Sequence, residues 1–200
     1  MATSPFARHA TAASALRDVY GYASLRGAQE EAVAAACAGE DALVVMATGA
    51  GKSLCYILPG LVLGRAVVVV SPLVALMQDQ VMALRARGLA ADYLGSAQAD
   101  KTVWDRLEQI QFLYLTPEMA SADRLRGALR HRVRPCLIAV DEAHCVCEMG
   151  HDFRPEYRLL RQLRAAVEEG EEGEGDVDRV AVLAVTATAT AAWRGDICAN

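Results

Sequence analysis

Short apolar runs rich in β-branched residues alternate with longer stretches of helical periodicity along the whole chain. Residues 41–46 (DALVVM), 66–70 (AVVVV), 111–115 (QFLYL), 136–140 (CLIAV) and 180–185 (VAVLAV) read as strands. They lack the apolar–polar alternation of a half-solvated strand, so both faces are expected to be buried. Residues 91–94 (ADYL) are a weaker sixth candidate. The segments between them carry helix punctuation. Pro72 is expected in the first turn of one helix that Gly88 ends after Arg85 and Arg87, and Pro117 and Pro155 in the first turns of two others. Strand–helix alternation without hairpin signals predicts an α/β fold, a doubly wound and mainly parallel sheet flanked by helices. No internal repeat or internal linker interrupts it.

Composition supports a folded domain. The 200 residues are 54% hydrophobic and 22% charged, enough apolar side chain for a real core, though only 6% are aromatic. No apolar run approaches the roughly 20 residues needed to cross a bilayer, so no membrane role is expected. The Ala/Ser/Thr-rich start with Arg8 and Arg17 fits either an organelle-targeting leader or a capped helix. The net charge of −5 is concentrated: Glu168, Glu169, Glu171, Glu172, Glu174, Asp176 and Asp178 lie in one stretch without Lys or Arg. Setting those seven of the 25 acids aside leaves 18 against 20 bases, so no broad basic surface advertises nucleic acid. The Gly-punctuated acidic stretch, residues 168–178, is expected as a solvated loop. The six cysteines show neither a disulfide-scaffold density nor metal-ligand spacing. Cys145 and Cys147 are too close for the usual zinc pair, so no zinc is expected in this chain.

Three strand ends carry chemistry. Met46, Ala47, Thr48, Gly49, Ala50, Gly51, Lys52 and Ser53 stand between a strand and a helix. Gly49 and Gly51 let the backbone curl with its N–H groups inward, so that Thr48 to Gly51 can cradle phosphates at a helix N-terminus. Lys52 can reach the β- and γ-phosphates, and the Ser53 hydroxyl can ligate a phosphate-bound Mg2+. The general phosphate-loop pattern has Gly where Met46 stands; the alternative is a Gly-rich turn with incidental polar residues. The run 137–142 (LIAVDE) delivers Asp141 and Glu142 at the carboxyl end of a buried strand, where parallel sheets bind ligands. Asp141 is expected to hold the Mg2+ shell, Glu142 to activate the attacking water, and His144 to hydrogen-bond across to another strand end. Thr186 and Thr188, after the last strand, would lie beside them; alone they are a polar turn.

Together these blocks resemble the RecQ-type DNA helicases. Asp141 to Cys145 (DEAHC) is followed by GHDFRPEY at residues 150–157, after MATGAGKSLCY at 46–56, SPLVALMQDQV at 71–81 and FLYLTPE at 112–118. LAVTATAT at 183–190 follows, and YGYASLRGAQEEAV at 20–33 is similar to the family's adenine-clasping motif. The blocks cover about residues 16–198, behind an expected N-terminal tail of residues 1–15. The resemblance implies a RecA-like first motor domain of a 3′-to-5′ DNA helicase that uses ATP and Mg2+. It implies Tyr22 stacking on adenine, Arg26 packing over it and Gln29 hydrogen-bonding the base. Ser71, Pro72 and Leu73, with Thr116, Pro117 and Glu118, would contact single-stranded or duplex-junction DNA. His151, Phe153 and Arg154 would couple DNA to the ATP site, together with Thr186 and Thr188. DNA repair or recombination is implied, in a nucleus if the source is eukaryotic and otherwise in the cytoplasm or nucleoid.

The chain departs from the family pattern at several positions. Met149 stands where the coupling loop usually has Trp, and Leu25, Gly27 and Ala28 replace Phe, Pro and Gly in the adenine motif. Gln78 replaces a common Lys and Ala47 a usual Pro, while Lys52, Ser53, Asp141, Glu142 and His144 are intact. Nucleotide chemistry is therefore expected to persist with weakened DNA coupling. The sequence stops soon after the third motor block, so the second RecA-like domain that supplies an arginine finger is expected from elsewhere, in cis or in trans. The isolated chain is then expected to bind MgATP and hydrolyse it poorly. Two alternatives stay open: a non-catalytic nucleotide-binding interaction module, and an unrelated phosphate-loop enzyme such as a small-molecule kinase.

Overall fold

Four consecutive valines, Val67–Val70, form a fully buried strand, and their alternation sends Val67 and Val69 to one core and Val68 and Val70 to another. A computed structural model describes residues 5–95, 101–147, 155–168 and 179–199. In chain order the elements are α1 (Ala12–Ala15), α2 (Ala28–Cys37), β1 (Ala42–Val45), α3 (Leu54–Leu63), β2 (Val67–Val70), α4 (Val74–Arg85) and β3 (Ala91–Leu94). They continue with β4 (Phe112–Leu115), α5 (Pro117–Ala120), α6 (Asp123–Ala128), β5 (Leu137–Val140), α7 (Leu160–Glu168), β6 (Ala181–Thr186) and α8 (Ala191–Ala199). All six strands run parallel in the order β1-β6-β5-β2-β4-β3. The expected strands are thus all present, the weaker sixth candidate included, as an edge strand.

Helices α1 to α4 cover one face of the sheet, against Val67, Val69, Phe112, Tyr114, Ala139 and Leu183. The later helices cover the other, against Val68, Val70, Leu113, Leu115, Ile138 and Val140. This is the doubly wound arrangement that the alternation implied. Helix α3 lies unusually close: a Cβ on its Gly60 would sit 2.7 Å from Val67 Cγ2 and 3.0 Å from Phe112 Cε1. Glycine there is a packing requirement.

Three local expectations change. Pro72 lies outside the helix it was expected to start; α4 begins at Val74 with Leu73 as its cap residue. Pro155 opens a 3-10 turn, Pro155–Leu159, that leads into α7 at Leu160. Over its described part, the stretch expected as an N-terminal tail lies on the body. His9 N–H donates to Leu61 O at 2.9 Å, Arg8 Nε donates to Val62 O at 2.9 Å, and Ala15 is fully buried. Thr11 and Ser14 close a capping box there, and the helix runs on through a π turn, Leu16–Tyr20, to Gly21. Of the acidic stretch, Glu168 is described: it accepts from Arg164 Nε at 3.0 Å and from Val180 N–H at 3.0 Å. Residues 169–178 lie outside the described residues.

Candidate nucleotide and nucleic-acid site

The chemistry collects at the carboxyl ends of the strands. The backbone ladder continues one step past the strand ends, where Met46 N–H donates to Thr186 O at 3.0 Å and Asp141 N–H to Val70 O at 2.8 Å. Ser71 N–H donates to Leu115 O at 3.0 Å and Thr116 N–H to Leu94 O at 3.2 Å. One row of main chain therefore carries the phosphate loop, the acidic pair and both segments expected to meet DNA.

After β1 the loop turns through Gly49 (φ 78°) and Gly51 (φ 81°), values that L side chains rarely adopt. Lys52 Nζ donates back to Met46 O at 3.4 Å. Ser53 occupies the cap position of α3, but its side chain makes no cap hydrogen bond. A hydroxyl at a helix N-terminus that does not serve as a cap suits a metal ligand. Beside the loop, a cleft of about 320 Å³ is lined by Tyr22, Arg26, Gln29, Gly49, Ala50 and Leu54. Tyr22 is 56% exposed and stacks on Tyr20, ring centroids 6.2 Å apart. Arg87, in the turn after α4, covers Tyr20 at 4.9 Å. Burial pushes the Tyr20 hydroxyl up to about 12, with Arg87 opposing and Tyr22 adding.

Gln29 is buried and turned toward the loop. Its Nε2 donates to Ala50 O at 3.0 Å and Gly51 O at 3.3 Å, and its Oε1 accepts from Arg26 N–H at 2.9 Å. A side chain at Gly51 would stand 2.7 Å from that Nε2. Gly27, which replaces the family's proline, takes φ 45°, a value closed to proline. The turn into α2 is therefore built on glycine's freedom.

At the end of β5, Asp141 is 4% exposed, and its Oδ1 accepts the N–H of Glu142 at 3.1 Å. Burial raises its carboxyl to about 6; the neighbouring Glu142 adds, while the Glu142 N–H and Lys52 oppose. Glu142 sits in the left-handed region at φ 49°, uncommon for a residue other than glycine. His144 Nδ1 lies 2.9 Å from Thr186 Oγ1 and 3.3 Å from Glu142 Oε2. The Thr186 hydroxyl donates to Thr188 O at 3.0 Å, so both neighbours of Nδ1 are acceptors and Nδ1 carries the proton. The contact expected from His144 to another strand end is thus made. Tyr157, fully buried, donates its hydroxyl to the main-chain carbonyl of Asp141 at 2.9 Å.

The segments expected to meet DNA are less exposed than their sequence suggests. Ser71, Pro72, Thr116 and Pro117 are buried, leaving Leu73 and Glu118 exposed. The Thr116 hydroxyl accepts from Met119 N–H at 3.4 Å as the cap of α5. Thr186 is fully buried, and Thr188 is exposed. Met149, His151, Phe153 and Arg154 lie outside the described residues. Among the described residues no group of three or more His, Cys, Asp or Glu could hold a metal.

Missed by sequence reasoning were Tyr20, Arg87 and a trio in which the buried Tyr56 and Tyr114 meet the half-buried Gln80. For Tyr56 and Tyr114 the one legible signal was a tyrosine inside an apolar run, because a buried phenol needs a partner.

A parallel sheet with a phosphate loop after β1 and an acidic pair after β5 defines a RecA-like P-loop domain. The DEAD/DEAH box helicase profile matches residues 26–195, and the chain belongs to that family. It is similar to the ATP-dependent DNA helicase RecQ of Haemophilus influenzae, 43% identical over 192 residues that cover 94% of this chain and 29% of that one. The ATP-dependent helicase wrn-1 of Caenorhabditis elegans is 39% identical over 94% of this chain and 18% of its own length. The RecQ resemblance is thereby upheld, and the chain spans less than a third of these relatives. In structure, the DUF1998 helicase MrfA superposes with a TM-score of 0.71 at 18% identity, over 94% of this chain and 31% of that one. A hypothetical ATP-dependent RNA helicase from Sulfolobus tokodaii gives a TM-score of 0.65 over 94% of this chain and 53% of that one, and both likenesses confirm the fold.

Proposed function

We infer that this domain is the ATP-binding half of a RecQ-like 3′-to-5′ DNA helicase. The observation that best supports this is the shared row of strand ends, with the phosphate loop at one side and the segments 71–73 and 116–118 at the other. Lys52 would leave Met46 O for the β- and γ-phosphates, and the loop N–H groups would hold the remaining charge. Ser53 and Asp141 would hold Mg2+, which supplies charge neutralisation for the phosphates. Glu142, beside Nδ1 of His144 at 3.3 Å, would orient and deprotonate water. Tyr22, buttressed by Tyr20 and Arg87, offers adenine an aromatic face, and Arg26 a planar cation. For Gln29 to read the base, its two bonds to the loop carbonyls must open. Single-stranded DNA would lie along main chain at residues 71–73 and 116–118, with His151, Phe153 and Arg154 coupling it to the ATP site.

Completion by a second RecA-like domain would make translocation and unwinding possible, and with them repair or recombination where the genome resides. The test is ATP binding and hydrolysis by this chain, with and without single-stranded DNA, beside Lys52→Ala. MgATP binding lost in the mutant, with little turnover, is the expected result. DNA-stimulated turnover by the isolated chain would refute the dependence on a second domain. Unimpaired nucleotide binding by Lys52→Ala would refute the site.

A further inference from the structure

Three segments with no common neighbour in sequence meet at one amide. Tyr56 of α3 donates its hydroxyl to Gln80 Oε1 at 2.9 Å, and Tyr114 of β4 donates to the same oxygen at 2.8 Å. Both tyrosines are fully buried, and Gln80 is half-buried on α4. Burial raises both phenols well above their ordinary value, and the nearby Asp141 carboxylate adds to each. Two phenols held neutral beneath an acid, sharing one acceptor, form a costly polar island in an apolar layer.

The three elements have separate tasks in the proposed function. Tyr56 lies one turn beyond Ser53, with its N–H directed to Ser53 O at 3.3 Å. Gln80 lies two turns, about 10 Å, along α4 from Leu73. Tyr114 stands two residues before Thr116 on β4. Sliding α4 past α3 would break the hydrogen bond from Tyr56 to Gln80, and sliding it past β4 the one from Tyr114. Small shear of packed helices is a recurrent form of conformational coupling.

We propose that Gln80, held by Tyr56 and Tyr114, is a positioning residue that links the phosphate loop to both DNA-facing segments, so that nucleotide and DNA affinities depend on each other through it. The proposal rests on the helicase reading given above. None of the three side chains touches either ligand; they act by fixing α4 against α3 and β4.

The test measures the affinity of this chain for mant-ATP with Mg2+, with and without saturating oligo(dT), in wild type, Gln80→Met, and Tyr56→Phe combined with Tyr114→Phe. In wild type, oligo(dT) should change the nucleotide dissociation constant at least about 5-fold, the lower range of allosteric coupling. In both variants that ratio should collapse toward one while affinity without DNA stays near wild type; the single Tyr114→Phe, the mildest change, should show an intermediate ratio. A purely structural role would lower the thermal midpoint and leave the ratio intact, and that result overturns the proposal. A wild-type ratio of one, with both ligands bound, overturns it as well. Wild-type protein that binds no nucleotide or no oligo(dT) refutes the helicase reading itself, and the proposal with it.

Discussion

Replacing Asp141 by Asn should stabilise the metal-free protein by an amount that grows as pH rises from 3.8 to about 6 and is complete above that window. The carboxyl is raised from 3.8 to about 6, chiefly by burial and then by Glu142. At about 1.4 kcal/mol for each tenfold change in proton affinity, this corresponds to a penalty on the order of 3 kcal/mol for the ionised folded protein. Below 3.8 both folded and unfolded chains hold the proton, and no penalty exists. Between 3.8 and about 6 the folded protein keeps a proton that the unfolded chain has released, so stability falls as pH rises. Above that window the loss is complete. Asparagine keeps the shape and an oxygen that can accept the Glu142 N–H, now held by Asp141 at 3.1 Å. Urea unfolding of both proteins in EDTA, from pH 4 to pH 8, reads the effect. The Asp141→Asn midpoint should exceed wild type by about 1 M urea at pH 8 and converge with it near pH 4. An offset that does not change with pH, or a less stable variant at pH 8, would refute the assignment of the cost to this carboxylate. Activity conserved at the expense of stability is the expected pattern for a metal-binding acid.

Two further outcomes follow from local geometry. Gly51→Ala should weaken mant-ATP binding at least about tenfold and cost about 1–2 kcal/mol of stability, because the residue has φ 81° and its Cβ would stand 2.7 Å from Gln29 Nε2; wild-type affinity in titration would count against the loop geometry. Of the six thiols, Cys198 is exposed while burial raises Cys55 to about 11 and Cys136 to about 12, so a disulfide reagent at neutral pH should label Cys198 first, as peptide mapping would show.

Much of the fold was legible because buried parallel strands announce themselves: a run such as Val67–Val70 has no other comfortable place. The acidic pair and the phosphate loop were legible for a similar reason, since each follows such a run directly. The partner of His144 was foreseeable because strand ends in one sheet must be neighbours. What could not be read depends on contacts distant in sequence. Pro72 looks like a helix start until Leu73 takes an extended conformation and caps α4 itself. The first fifteen residues read as a tail because the apolar groove beside α3 that receives Ala15 and Leu16 exists only in three dimensions. Gln29 carries a side chain that can bond base or backbone equally well, and its commitment to Ala50 and Gly51 is a tertiary fact. Gln80 gave no signal, since its neighbours on α4 are ordinary helical residues and both of its partners lie on other elements.

The row of strand ends also works as a ruler. Strand order β1-β6-β5-β2-β4 puts four inter-strand steps between the phosphate loop and Thr116, and each step is fixed near 4.8 Å by backbone hydrogen bonds, giving about 19 Å in all. Side chains do not set that span, so they can diverge without changing it. A structure only 18% identical can accordingly overlay with a TM-score of 0.71. Evolution is left free to rewrite what each end of the ruler grips while the distance between the two grips stays constant.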